Sequence, residues 1–313
     1  MYYIARVSTS SPVIEVRGLR MRYGDKDVLT DVEFSVEPGE VVCLLGPNGA
    51  GKTTTVEILE GFRDRSAGEV AVLGEDPRRA TEAWRARTGV VLQSWRDHPR
   101  WTPRTLLDQM GGYYEPYSTE ARPRPVPTEE LLKVVGLEDL ADQKIATFSG
   151  GQRRRLDVAM GIIGRPELLF LDEPTAGFDP MARREFHHVV HRLADLEHTT
   201  ILLTTHDLDE AEKLADRVLI LAGGRIVADD TAERLALRAA LDVEVKWSRG
   251  GERFVHSTDD ATDFVRRLLN EPGEPVVDLE VRRASLEDAY LDLVQRYEAG
   301  QVDEAARAFT EVL

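Results

Sequence analysis

Residues Gly46 to Thr53 read Gly-Pro-Asn-Gly-Ala-Gly-Lys-Thr, a spacing of glycines, lysine and hydroxyl suited to holding phosphate. Gly46, Gly49 and Gly51 carry no β-carbon, so backbone N–H groups can curl around a β-phosphate, with Pro47, Asn48 and Ala50 completing the loop. Lys52 is expected against the β- and γ-phosphates, the Thr53 hydroxyl on a magnesium ion, and Thr54 in the same first turn. The context is the one this chemistry needs. Residues 40–45 form a short apolar run that reads as a buried strand, and Lys52–Leu59 has helical spacing. A helix starting at the loop adds its dipole to the anion site.

A second apolar run, 167–171, ends in Asp172-Glu173-Pro174. Asp172 is placed to hold magnesium, directly or through water, and Glu173 to polarise an attacking water as general base. Neighbouring strand residues point to opposite faces, yet at a strand end the chain can turn both toward one ligand. Taken alone, such a pair could equally be a solvated strand end.

Phe148-Ser149-Gly150-Gly151-Gln152 opens a helix read over 153–164. Ser149 is a good N-cap, and the two glycines leave amides bare at the helix start, which makes a second anion site. One ATP does not need two such sites from one subunit. Here the sequence resembles the ATP-binding-cassette (ABC) ATPases, whose Leu-Ser-Gly-Gly-Gln signature binds the γ-phosphate of the ATP held by a partner subunit. The resemblance implies that role for Ser149, Gly150, Gly151 and Gln152, with Phe148 in place of the usual leucine.

The same resemblance extends along the chain. Tyr23, in Arg22-Tyr23-Gly24, matches the aromatic that stacks on adenine. Gln93 matches the glutamine that contacts magnesium and reports the γ-phosphate to a membrane partner, and Asp179 matches the loop that crosses the dimer interface. His206, after Thr204-Thr205, matches the histidine that bonds the γ-phosphate. Phe178 stands where leucine is commoner, which affects packing at that interface. The implied activity is ATP hydrolysis with Mg2+, in a head-to-tail dimer of the ATPase subunit. The implied partner is an integral membrane transporter subunit. The alternative is a soluble ABC ATPase acting on ribosomes or DNA; such proteins usually carry two cassettes or a long coiled coil, neither of which is seen here. A small-molecule kinase with the same loop would have no reason to carry Ser149-Gly150-Gly151.

Composition agrees. The chain has 313 residues, long enough for one or two domains, and a formal charge of −16, which makes a general nucleic-acid platform unexpected. No apolar run reaches the ~20 residues that span a bilayer, and the N-terminus lacks a signal-peptide pattern. The expectation is a cytoplasmic protein, peripheral to the inner face of the plasma membrane through its partner. Cys43 is the only cysteine and reads as a small buried strand residue.

The fold expected is α/β: a P-loop NTPase core of mainly parallel sheet, an antiparallel β subdomain from strands at 13–23, 31–36 and 69–73, and a helical subdomain at about 94–150. The prolines at 103, 116, 123, 125 and 127 punctuate that helical insert, and in the family it touches the membrane partner; Trp95 and Trp101 belong to that contact or to core packing. Composition shifts after Leu241, so the ATPase domain is assigned to 1–241 and an α+β accessory domain to 242–313. In the latter, strands are expected at 242–247 and 276–281 and helices at 259–269 and 285–297. This segment resembles the C-terminal extension of the drug-export, daunorubicin-resistance-like branch, and so an exporter of multidrug or antibiotic type is implied.

Three further clusters are read as structural. His187 and His191 have a zinc-compatible spacing without a third ligand, so packing or solvation is expected. Asp207, Asp209, Glu210 and Glu212 supply negative charge to a helix N-terminus. Arg153-Arg154-Arg155 reads as the exposed start of the signature helix.

Overall fold

A computed structural model describes residues 11–91, 99–175, 178, 180–239, 243–258, 260–271, 273–282, 285–288, 290, 291 and 294. These divide into two compact units, 1–226 and 227–313.

The first unit is organised by a long sheet with strands β1 (Ile14–Tyr23), β2 (Lys26–Val36), β3 (Val41–Leu45), β4 (Ala67–Val72), β5 (Thr88–Val91), β6 (Leu168–Asp172), β7 (Thr200–Thr205), β8 (Arg217–Ala222) and β9 (Arg225–Asp230), the last of which begins at the end of this unit and runs past residue 226. Their spatial order is β4-β1-β2-β9-β8-β3-β7-β6-β5. The pairs β3/β7, β3/β8, β6/β7 and β5/β6 are parallel, whereas β1 pairs antiparallel with both β2 and β4. The expected antiparallel strands are therefore not a separate layer: they continue the edge of the same sheet. Strand β3 and most of β6 read as apolar runs because both faces are covered, and every residue of β3 and β7 is buried.

Helices α1 (Lys52–Leu59), α2 (Glu82–Arg85), α3 (Pro103–Gly111), α4 (Thr128–Val134), α5 (Gly150–Ile162), α6 (Pro180–Glu197) and α7 (Leu208–Leu214) complete this unit. Between β5 and β6 the described residues form helices α3 to α5 and short 3-10 turns without a strand, as expected for the helical insert. Pro103 opens α3 beside the N-cap Thr102, whose hydroxyl accepts from Thr105 N, so proline here starts a helix. The signature helix begins at Gly150 and ends at Ile162, three residues earlier at its start and two earlier at its end than its periodicity suggested.

The second unit holds α8 (Ala232–Ala239), β10 (Val243–Arg249), β11 (Glu252–Thr258), α9 (Ala261–Asn270) and β12 (Val277–Arg282). The strands form a separate antiparallel sheet ordered β11-β10-β12. Phe264 of α9 packs against Trp247 and His256 of that sheet. Strand β11 was not expected, because Glu-Arg-Phe-Val-His-Ser-Thr shows no clean alternation; the Gly250-Gly251 turn, both glycines at positive φ, folds it back on β10. In the last helix Leu286 is buried, Tyr290 and Val294 are half-buried, and Leu291 is exposed.

Candidate functional site

Parallel register aligns the ends of three neighbouring strands. Leu45 pairs with Thr205, and Asp172 with Thr204, so β3, β7 and β6 deliver their C-terminal residues to one edge of the sheet. Open α/β sheets bind ligands at this edge. A cavity of about 500 Å³ lies there, lined by Val28, Asn48, Gly49, Gly51, Lys52, Thr53, Thr54, Asp172, Glu173 and His206.

The loop after β3 owes its path to its glycines. Gly51 stands at φ 108°, and a β-carbon there would lie 2.6 Å from Leu29 Cδ2. A β-carbon on Gly46 would meet the Leu221 carbonyl oxygen at 2.4 Å. A side chain at Gly46 would push the loop off the sheet, and one at Gly51 would be strained by the left-handed backbone. Lys52 is 7% exposed, and its ammonium donates to the Gly46 carbonyl at 2.7 Å and the Pro47 carbonyl at 3.3 Å. Burial lowers its pKa, while Glu173 and Asp172 act in the opposite direction and favour the charged form. Thr53 is exposed at the cavity, whereas the next hydroxyl but one, Thr55, turns inward and donates to the Gly51 carbonyl at 3.0 Å.

Asp172 accepts from the Thr204 hydroxyl at 2.5 Å. Glu173 stands at φ 44°, a left-handed backbone that a non-glycine residue adopts only when its surroundings hold it. The restraint is visible: Glu173 N donates to both the carbonyl and the hydroxyl oxygen of Thr204, each at 3.1 Å. The turn brings the two adjacent carboxylates to the same cavity, the outcome that strand alternation alone would forbid. Glu173 Oε1 lies 3.1 Å from His206 Nδ1, with the carboxylate side chain 18% exposed and the imidazole 59%.

Ser149 caps α5 with a complete capping box: Gln152 N donates to the Ser149 hydroxyl and Ser149 N to Gln152 Oε1. Ser149 and Gly150 are exposed, and a β-carbon on Gly150 would meet nothing within 4 Å. Neither these residues nor Gly151, Gln152 and Tyr23 line the cavity around Lys52. Tyr23 is exposed at the end of β1, with the Arg63 guanidinium 5.3 Å above its ring. Phe178 packs edge-to-face on Phe186 at 6.0 Å, so within the subunit it belongs to the base of α6. Gln93, Trp95 and Asp179 lie outside the described residues. Trp101 is half-buried.

The arginine triplet is not an exposed helix start. Arg154 is 7% exposed, and its guanidinium donates to the carbonyls of Pro174 at 2.9 Å and Asp172 at 3.0 Å. It thereby ties the signature helix to the turn that carries Asp172 and Glu173. Arg155 donates to the Val135 and Gly136 carbonyls and pairs with Glu185. Charge patterning suggested solvent; the carbonyls they satisfy are brought close only by the fold. Thr204 is the other residue the sequence reading missed, its signal hidden inside an apolar strand.

Asp207 caps α7 by accepting from Glu210 N, with Asp209 and Glu210 in the first turn, as expected for charge at a helix start. Glu210 differs from its neighbours: it is buried, bonded to Thr205 and Thr175, and burial raises its pKa. His187 is half-buried and His191 exposed, and among the described residues no group of three His, Cys, Asp or Glu is placed to hold a metal. Cys43 is fully buried.

Residues 29–176 match the ABC transporter family. The chain is 38% identical to the Nod factor export ATP-binding protein I of Burkholderia orbicola, over 90% of this chain and 97% of that one. It is 37% identical to the daunorubicin resistance ATP-binding protein DrrA2 of Streptomyces coeruleorubidus, over 94% and 98%. The chain belongs to the ATP-binding subunits of ABC transporters. It is an ATPase subunit of the export type. A solved ATP-binding subunit of an ABC transporter, 29% identical, superposes with a TM-score of 0.61 over 72% of this chain and 92% of that one. An ATP-binding cassette in its ADP conformation, 23% identical, shares the fold with a TM-score of 0.62 over 72% and 93%. No helix among the described residues is long and apolar enough to cross a membrane.

Proposed function

We propose that two copies of this subunit close head to tail around two Mg-ATP and that closure drives a separate integral membrane subunit at the inner face of the plasma membrane, exporting a small drug-like or antibiotic molecule. The observation that carries the dimer is the capped, exposed anion site at Ser149-Gly150-Gly151, which stands outside the cavity around Lys52. A helix start built to accept an anion, yet away from the subunit's own phosphate loop, fits a γ-phosphate brought by a second copy. The export name of one relative supports the direction of transport, and the daunorubicin resistance name of another supports the class of cargo. Their near-complete coverage supports a cassette through about Leu241 followed by an accessory domain at 242–313.

The hard oxygen donors at the cavity, the Thr53 hydroxyl and the Asp172 carboxylate, fit magnesium, and Gln93 would join them. Bound there, the ion would neutralise charge on the phosphates during transfer. Lys52 would hold the β- and γ-phosphates and Tyr23 the adenine. Glu173 would take the proton from the attacking water, and His206, fixed through Nδ1, would present its other ring nitrogen to the γ-phosphate. Gln152 would hold the cap, and Asp179 would face the partner copy.

Mixing two inactive variants tests the arrangement. Lys52→Ala weakens nucleotide binding in the isolated subunit; Ser149→Arg leaves it intact and abolishes hydrolysis. A dimer with one copy of each has one site in which both residues are native, so the mixture should regain ATPase activity that neither variant has. A mixture as inactive as its components would reject the head-to-tail dimer. The membrane partner is tested separately, by co-purification with an integral membrane protein.

A further inference from the structure

A second cavity, of about 360 Å³, lies away from the nucleotide site, between α4, the C-terminal end of α5 and α6. Its volume falls within the ~300–1,000 Å³ usual for small-molecule pockets. The walls are apolar: Val126, Leu131, Ile162 and Leu193 line it and are all buried. Its polar lining is mostly cationic. Lys133, Arg165 and Arg192 face it, against the single carboxylate of Glu130, in a chain whose formal net charge is −16.

Arg165 is the residue that makes this a built site. It sits at φ 48°, in the left-handed region, directly after the end of α5. Its Nε is buried without a hydrogen-bond partner, and its Nη2 reaches Glu130 only at 4.0 Å. Lys133 and Arg192 are exposed and have no ion pair among the described residues. The Arg165 side chain is 26% exposed, but its buried Nε–H has no acceptor, which is costly unless something accepts from it. An apolar chamber with such a donor and two further cations at its mouth is complementary to a ligand with an aliphatic body and one anionic end.

We propose that this cavity binds a small amphipathic carboxylate, the aliphatic part lying against Leu131, Ile162 and Leu193 and the carboxylate on Arg165, with Lys133 and Arg192 adding field at the entrance. The proposal does not depend on the nucleotide site or on the membrane partner.

The test is calorimetric titration of the full chain with octanoate, octylammonium and acetate. Octanoate should bind saturably at one site per chain, while octylammonium, which keeps the tail and reverses the charge, and acetate, which keeps the charge and lacks the tail, should bind at least tenfold more weakly. Arg165→Gln should weaken octanoate at least tenfold, and Arg192→Glu by a smaller factor. Should Arg165→Gln fail to fold, Val134→Trp decides, since it fills the cavity from a half-buried position. Equal affinity for octylammonium, absence of saturable octanoate binding, or affinity unchanged in both Val134→Trp and Arg192→Glu would each overturn the proposal. Tight binding of an acidic peptide with no binding of octanoate would also overturn it, since the site would then serve a protein partner.

Discussion

The guanidinium of Arg154 donates to the backbone carbonyl of Asp172 at 3.0 Å, joining the signature helix α5 to the strand end that carries Asp172 and Glu173. The same side chain also holds the Pro174 carbonyl, so it spans both sides of Glu173. Arg154→Gln deprives the Pro174 and Asp172 carbonyls of this charged donor and should destabilise the subunit by ~1.5–3 kcal/mol. Because Arg154 does not line the nucleotide cavity, ATP affinity should change less than turnover. Urea unfolding together with steady-state ATPase measurements checks this. Unchanged stability and turnover would show that the clamp is idle.

Glu173→Gln preserves the shape of the side chain and its place beside His206 but removes the proton acceptor. Hydrolysis should fall about 10²–10⁴-fold while ATP binding persists. The variant should therefore accumulate as an ATP-bound dimer on size-exclusion chromatography. Native turnover would exclude Glu173 as the base.

Gly46→Ala sets a β-carbon 2.4 Å from the Leu221 carbonyl oxygen, a backbone atom that cannot swing aside. Relief requires the loop to move away from β8, carrying with it the carbonyl on which Lys52 rests. A cost of ~1–3 kcal/mol is expected for such overpacking. It should be shared between stability and nucleotide affinity, and a thermal melt with and without ATP separates the two. Native melting and native affinity would refute the steric argument.

His187 lies half-buried in α6, its Nε2 buried without a partner, and burial together with nearby cations lowers its pKa to about 4. With an unfolded value near 6.5, the folded state favours the neutral ring. That contribution is complete above pH 6.5 and is lost as pH falls toward 4. His187→Gln should flatten the fall in stability across this window and change little at pH 7.5. Denaturant midpoints at pH 4.5, 6 and 7.5 provide the measurement, and parallel curves for the two proteins would contradict the assignment.

A chain ended near Leu241 retains the nine-stranded sheet and the cavity around Lys52. It should fold and bind ATP while losing more coupled activity than nucleotide affinity. Insolubility would mean that later residues complete the cassette core. Unchanged assembly and transport would remove any association role for 242–313.

Features written in contiguous residues were legible in the sequence. The phosphate loop and α1 follow from glycine spacing and helical period, and the Ser149–Gln152 box is a contact of residues three apart. The acidic strand end, the helical insert and the accessory strands β10 and β12 carry equally local signals. These motifs, taken in order, were enough to imply the family. The tertiary structure decided what no local pattern encodes. Thr204 meets Asp172 across 32 positions because β6 and β7 are parallel and in register, and the same residue accepts from Glu173 N, holding Glu173 in a backbone it would not otherwise adopt. Arg154 looks like a solvent-facing charge in the sequence, yet it is buried because carbonyls 18 and 20 residues away are delivered to it. Likewise, nothing around Arg165 in the chain announces a chamber; it exists because α4 and α6 close around the end of α5. Local spacing selects the chemistry, whereas burial and long-range register select which side chains can perform it.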